Sequence, residues 1–381
     1  MIPPGSSFPR PIFETITMPF VRLSGTVLGS DDPGRSVRAK LLFLLYNSGW
    51  DISNSNGDQR ITLSNIESKI TESDAFVFTP KPSLEDMFKA ISVFVGYQTL
   101  DKHLSGKPTV ILNSDGSWDP FFNVIARLNQ LGTVKQDFRQ YLLEASTPEE
   151  AIERLQAARS VGLPDIGRIA IGENKVVLRD VPPPEHLRGN VCVFCSATLE
   201  DESYIADGES LGRRLAEGDY GCVSGAGRSG IMGAVVRGSV DADGWTAGSN
   251  VPHIIELEGL PDGLSRFWLR NDIYTRMEVM IENSDAFVIF PGGAGTVQEL
   301  LALLIFKSQG SELMAGKPII IFNREHETGV RFWDALIELL RGICNTDDFV
   351  VAKSLDEIES TLDQALPIHQ SDSNSRKLFS A

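Results

Sequence analysis

The sequence predicts an α/β chain made of two tandem, Rossmann-like, doubly wound units with parallel sheets, and three observations carry that prediction. Short runs rich in β-branched and aromatic residues alternate with segments whose apolar residues recur at helical spacing. The run SDAFVIF (284–290) passes through PGGAGT into VQELLALLIF, which reads as strand, glycine loop, helix. Three segments of the first half also recur in the second in the same order. SDAFVF (73–78) returns as SDAFVI (284–289), SGKPTVILN (105–113) as AGKPIIIFN (315–323), and TPEEAIERL (147–155) as SLDEIESTL (354–362). A chain of 381 residues has room for two domains of ordinary size.

Residues 1–17 are spaced by prolines and read as an arm. VRLSGTVLG predicts the first strand, and RSVRAKLLFLLYNSG a helix that stops at Gly49. ITLSNIESKITE reads as helical, SDAFVF as a strand, DMFKAISVFVGYQTL as a helix, PTVILN as a strand ending at Asn113, and FFNVIARLNQLG as another helix. From 158 to 188 the chain reads as a linker, with IGRIAIG and KVVLRD able to pair as a hairpin and Pro182 to Pro184 stiffening its exit. The second unit opens at VCVFCSAT and continues through the helix YIADGESLGRRLAEG, the strand YGCVSG and the helix IMGAVVRGSV. RNDIYTRMEVMIENSDAF places Arg270 and Arg276 on a helix that leads into the key strand. The tail 367–381 is polar.

Composition narrows the functions available. With 35 basic and 51 acidic residues the net charge is −16, and no lysine or arginine run offers a nucleic-acid backbone a basic face. Cys192, Cys195, Cys222 and Cys344 are too few for a disulfide framework and suit a reducing compartment. There is neither a signal-peptide core nor an apolar run of membrane-spanning length, so the expectation is a cytoplasmic protein without a membrane partner.

In PGGAGTVQE, successive glycines can turn backbone N–H groups over a small anion, with the following helix N-terminus adding partial positive charge; a phosphate-bearing small molecule is expected. Thr296 and Glu299 have the T-x-x-E spacing of a helix capping box. The first unit keeps that spacing at Ser83 and Asp86 in TPKPSLED. There the loop shortens, and residues such as Lys81 and Pro82 replace Gly292 and Gly293, blocking the positive φ angles of a glycine nest. Capping is thus expected in both units and the cradle only in the second. Aligned through SDAF, Asn65 stands opposite Arg276, so the unit without glycines also lacks this arginine, which favours a functional Arg276. GAGRSG (225–230) fits G-x-G-x-x-G, yet it does not occupy the unit's first strand–helix turn and no acidic residue closes a following strand, so it reads as a second phosphate- or sugar-facing loop and not as a nicotinamide or flavin site. Cys192 and Cys195 sit at C-x-x-C spacing within a strand, with no second pair for zinc and no helix start for redox work, and read as buried inert thiols.

VCVFCSAT, SGAGRSGIMGA, the arginine of TRMEVM and PGGAGTVQE, in this order, resemble the LONELY GUY family of nucleoside 5′-monophosphate phosphoribohydrolases, long labelled "possible lysine decarboxylases". The likeness covers residues 189–366 and looks closer to the bacterial purine and pyrimidine nucleotide nucleosidase branch, because Arg276 is followed by Met277 where the plant-type motif has lysine. The loop SGAGRSG also departs from the family's usual third consecutive glycine. The resemblance implies hydrolysis of an N-glycosidic bond to free base and ribose 5-phosphate. It implies catalytic roles for Arg276 and Glu299, a 5′-phosphate site at Gly292, Gly293, Gly295 and Thr296, and an opposite wall at Gly225, Gly227 and Gly230. No metal, pyridoxal lysine, nicotinamide or other cofactor is required. Residues 18–157 then read as a degenerate copy in the place of a dimer partner, giving an intrachain pseudo-dimer or a homo-oligomer. The competing readings are a non-catalytic nucleotide-binding sensor or carrier and a DNA-processing module, the latter opposed by the charge.

Overall fold

The computed structural model describes residues 19–24, 33–54, 63, 70–99, 101, 106–135, 137–161 and 179–367. The arm 1–17, the hairpin expected within the linker, the polar tail beyond 367, Asn65 and most of ITLSNIESKITE lie outside the described residues.

The first unit contains β1 (Phe20–Ser24), α1 (Pro33–Asn47), β2 (Asp51–Asn54), β3 (Ala75–Phe78), α2 (Leu84–Thr99), β4 (Thr109–Leu112), α3 (Asp119–Gln130), β5 (Leu142–Ala145) and α4 (Pro148–Val161). The second contains β6 (Gly189–Phe194), α5 (Glu202–Glu217), β7 (Tyr220–Ser224), α6 (Gly230–Asp241), β8 (Thr246–Asn250), α7 (Pro252–Glu258), β9 (Arg266–Leu269) and α8 (Ile273–Glu282). It continues through β10 (Ala286–Ile289), α9 (Ala294–Ser308), β11 (Ile319–Phe322), α10 (Asp334–Ile343), β12 (Val350–Ala352) and α11 (Leu355–Ala365).

Both sheets are parallel. The first has the order β2-β1-β3-β4-β5 and the second β12-β11-β10-β6-β7-β8-β9. Five strands therefore follow one spatial order in both units, and β8 and β9 extend the second sheet beyond β7. Helices lie on both faces, so the central strands are buried on both sides and read as unbroken apolar runs; AFVF of β3 and AFVI of β10 are fully buried. The third repeat keeps its cap in both units. Thr147 accepts from the Glu150 N–H while Glu150 accepts from Ser146, and Ser354 and Glu357 repeat the arrangement at the start of α11.

The two units share one hydrophobic core, which includes Phe88, Phe94 and Tyr141 of the first together with Tyr274, Leu300 and Leu304 of the second. Helices α2 and α9 face each other across this boundary, where the Gln298 side-chain amide donates to the Ser92 hydroxyl at 2.8 Å, both groups buried. Phe88 and Tyr274 stand 6.4 Å apart between ring centres. Helix α4 runs on to Val161, into the stretch that reads from sequence as linker. At the linker's exit, Val181 donates to the Ser265 carbonyl and Phe267 to the Arg179 carbonyl, covering the β9 edge. No described helix is long and apolar enough to cross a membrane.

Candidate active site

In an open α/β sheet the crevice forms at the carboxyl ends of the strands where the chain reverses its direction of winding. In the second sheet that point lies at β6, flanked by β7 on one side and β10 on the other. A cavity of 360 Å³ opens there. Its walls are the turn after β6 (Cys195 to Thr198), the loop and first turns of α9, the side of α8 carrying Ile273, Arg276 and Met277, and Ile254 and Glu258 of α7. The first unit completes it with Val95, Gln98 and Thr99 at the end of α2 and with Thr133 and Lys135 beyond α3.

The expected capping box at Thr296 and Glu299 is absent. Helix α9 begins at Ala294 with Gly293 at the N-cap and no side chain capping it, so Thr296 lies within the first turn. The Thr296 side chain folds back over Gly292, where a Cβ would come 2.1 Å from Oγ1. None of Gly292, Gly293 and Gly295 has a positive φ. Gly292 is instead required by close approach to Thr296, while a Cβ at Gly293 would make a tight contact of 3.2 Å with the Thr133 carbonyl oxygen. In the first unit the box is real: Ser83 and Asp86 bond reciprocally, and the other Asp86 oxygen accepts from the Ser24 hydroxyl at 2.7 Å. The positive φ also belongs to that unit, at Lys81, with a value of 61°. Measured to the N-cap, its loop is one residue longer than PGG, not shorter. Capping thus distinguishes the units: Asp86 is consumed by it, whereas the N-terminus of α9 is left without a side-chain cap and Glu299 is left for the cavity. Counted from the N-cap, the place of Glu299 in the first unit is held by Lys89, buried beside Ser24.

Arg276 lies on α8 as expected; Arg270 does not, since that helix starts at Ile273 and Arg270 falls in the turn after β9. The buried Arg276 guanidinium donates through Nε to the Ser249 carbonyl at 3.0 Å and through Nη2 to the Gly225 carbonyl at 3.2 Å. Its Nη1 stands 3.6 Å from Glu299 Oε1, an ion-pair distance longer than a hydrogen bond. Burial pushes the Glu299 carboxyl up to about 7; Arg276 works against that rise and the charge of Glu258 adds to it. A carboxyl poised near neutrality in a cleft is what proton-transfer chemistry uses.

The glycines of GAGRSG serve the site from behind and do not line the cavity. A Cβ at Gly225 would meet Arg276 Nη2 at 2.1 Å, one at Gly227 would lie 3.2 Å from Glu258 Oε2, and Gly230 turns with φ 60° against the backbone of Ser196 and Ala197. Gly293, Gly295, Thr296, Arg276 and Glu299 do line it, while Gly292 sits beneath Thr296. Cys192 and Cys195 are both buried, and burial pushes both thiols well up, away from the nucleophilic thiolate. Cys195 nevertheless forms part of the cavity wall.

Sequence reading missed Glu258, Ser196 and the whole contribution of the first unit. Glu258 ends a seven-residue helix that shows no amphipathic signal of its own. Gln98, Thr133 and Lys135 belong to a unit whose own loop lacks the glycines, and only the packing of α2 on α9 brings them to the cavity.

Residues 232–367 match the family model described as "Possible lysine decarboxylase". A "Probable cytokinin riboside 5′-monophosphate phosphoribohydrolase" of Oryza sativa subsp. japonica is 27% identical over 154 residues, 40% of this chain and 68% of the relative. The cytokinin riboside 5′-monophosphate phosphoribohydrolase of Rhodococcoides fascians is 29% identical over 136 residues, 35% of this chain and 67% of the relative. Among solved structures, the molybdenum cofactor binding protein of Rippkaea orientalis aligns with 46% of this chain and 94% of its own at 18% identity and a TM-score of 0.36.

Proposed function

Taking as premise that the second unit of the chain belongs to the LONELY GUY, or possible lysine decarboxylase, family, we propose that the protein hydrolyses the N-glycosidic bond of nucleoside 5′-monophosphates, releasing free base and ribose 5-phosphate. The observation that carries this reading is the placement of the buried Arg276–Glu299 pair and the N-terminus of α9, which has no side-chain cap, in one cavity.

The chemistry follows from the arrangement. The 5′-phosphate rests against the first N–H groups of α9 and the Thr296 hydroxyl, where the helix end supplies partial positive charge. Fixing the phosphate fixes the ribose, and that binding energy is available to position the anomeric carbon. As the base departs with the glycosidic electron pair, C1′ takes on oxocarbenium character, and the Glu299 carboxylate stabilises it. A water adds its oxygen to C1′ and gives up one proton to Glu299, which returns that proton to the departed nitrogen of the base, so the base is released neutral and the carboxylate is regenerated. Arg276, fastened to two backbone carbonyls, holds the carboxylate in place and counters the rise in its pKa. Ile254, Ile273, Met277 and Val95 give the base an apolar wall. The names of the relatives specify a cytokinin base; for this chain the substrate class proposed is the nucleoside 5′-monophosphates as a whole.

Residues 18–157 are, on this reading, a degenerate copy standing where a homodimer partner would stand, supported by the shared strand order and the α2–α9 boundary. Incubation of the full chain with a panel of nucleoside 5′-monophosphates, with free base and ribose 5-phosphate quantified, tests the activity. Release of both in equal amounts is expected, and no turnover of any member would overturn it.

A further inference from the structure

We infer that Lys135, a residue of the first unit, holds the 5′-phosphate of the ligand bound in the second. The inference rests on the proposed phosphate site and goes beyond it by dividing recognition of one nucleotide between the two units.

Among the described residues lining the cavity, Arg276 and Lys135 are the cations. Arg276 is committed elsewhere: its Nε and Nη2 are spent on the carbonyls of Ser249 and Gly225, and its Nη1 faces Glu299. A phosphate dianion entering a chain of net charge −16 needs more than the partial charge of a helix end, and Lys135 is the remaining cation at hand. Its backbone is well placed for this. The Thr133 carbonyl lies against Gly293, the N-cap of α9, and Lys135 follows two residues later.

The loop that carries it is firmly built. Gly132 takes a left-handed φ of 77° to leave α3, and the Thr133 N–H, the Thr133 hydroxyl and the Val134 N–H all donate to the Leu128 carbonyl. The Asn129 amide donates to the Val134 carbonyl at 2.7 Å, and the Val134 side chain is buried in the shared core. Lys135 is thus the first exposed side chain beyond a fixed anchor, a mobile ammonium on a rigid base at the mouth of the cavity. With the helix end on one side of the phosphate and the ammonium on the other, the ligand bridges the two units.

Three variants of the full-length chain, Lys135→Gln, Lys135→Glu and Lys135→Arg, test this with two readouts: calorimetric binding of ribose 5-phosphate and steady-state hydrolysis of nucleoside monophosphates. Lys135→Gln is expected to weaken ribose 5-phosphate about tenfold and to raise KM in the same proportion, with kcat falling much less. Lys135→Glu weakens it further, and Lys135→Arg restores most of it. Binding of ribose 5-phosphate as tight in Lys135→Gln as in the unsubstituted chain would overturn the inference and leave the hydrolytic reading standing. A chain that hydrolyses no nucleotide, yet binds ribose 5-phosphate in a manner that depends on Lys135, would sink the hydrolytic reading and uphold the inference.

Discussion

Gly225 and Arg276 are fitted to each other: a Cβ on residue 225 would stand 2.1 Å from the guanidinium nitrogen that donates to the Gly225 carbonyl. The first glycine of GAGRSG is therefore a seat for an arginine. Gly225→Ala should push the guanidinium out of its seat and away from Glu299. The expected result is a loss of roughly a hundredfold in kcat/KM for nucleoside monophosphates, a magnitude typical of losing one preorganised polar group. Ribose 5-phosphate binding should change little, because the proposed phosphate contacts lie on α9 and at Lys135, away from Gly225. A Gly225→Ala variant of ordinary activity would show that Arg276 need not occupy this position.

The pH dependence follows from Glu299. Burial raises its pKa to about 7, and the carboxylate is the form that stabilises an oxocarbenium centre, so kcat/KM should climb with pH through that value and then level off. Phosphate groups of the substrate also titrate near pH 6, and Glu258 separates the two causes. Its charge adds to the rise at Glu299, so Glu258→Gln should move the midpoint to lower pH. A profile unmoved by that substitution would assign the limb to the substrate.

How much of this was legible in the sequence depended on the kind of signal. Strands β3, β10, β4 and β11 announce themselves because burial on both faces demands unbroken apolar runs. Strand β8, TAGSN, is just as buried yet has almost no apolar residues, since small side chains fit where Gly248 approaches Ala226. Strand β2, DISN, is short and polar. The spacing of Thr296 and Glu299 misled, because a T-x-x-E pattern is equally compatible with a threonine inside the first turn when a glycine before it can serve as N-cap. No glycine of PGGAGT has a positive φ, and close approach to Thr296 explains Gly292 without a nest. Lys135 was beyond reach of any local pattern, because its place is fixed by packing between units.

The contact between Gln298 and Ser92 measures how firmly that packing is held. Ser92→Ala removes the hydroxyl that accepts from the buried Gln298 amide and leaves the amide without that partner. The expected cost is about 1–3 kcal/mol of stability, read as a lower midpoint in denaturant. Gln298→Leu combined with Ser92→Ala should recover part of it. If Ser92→Ala unfolds at the same midpoint as the parent, the boundary does not depend on this bond.

Two glycines of one loop should respond in opposite ways. Gly292→Ala places a Cβ 2.1 Å from Thr296 Oγ1, an overpacking that costs about 1–3 kcal/mol and displaces the first turn of α9. Around Gly295 no neighbouring atom lies within 4 Å of a Cβ, and alanine is the better helix former, so Gly295→Ala should fold at least as well as the parent. Its methyl group enters the cavity, so nucleotide affinity should fall while thermal stability does not. Equal stability of the two variants would contradict the geometry of the loop.

Glu299 should cost the fold stability in a manner that depends on pH. Its ordinary carboxyl value of 4.5 applies to the unfolded chain, and burial raises it to about 7 in the folded one. Below 4.5 both states hold the proton and there is no penalty. Between the two values the unfolded chain has released its proton while the folded chain retains it, so stability declines as pH rises; above about 7 the full penalty stands, on the order of 3 kcal/mol. Glutamine is neutral throughout and escapes it. Glu299→Gln should therefore abolish hydrolysis and yet melt at a higher temperature than the parent, with a margin that widens from pH 4.5 to about 7 and levels off above it. Melting curves collected across that range check it, and a margin independent of pH would mean that the carboxyl is not desolvated in the folded chain.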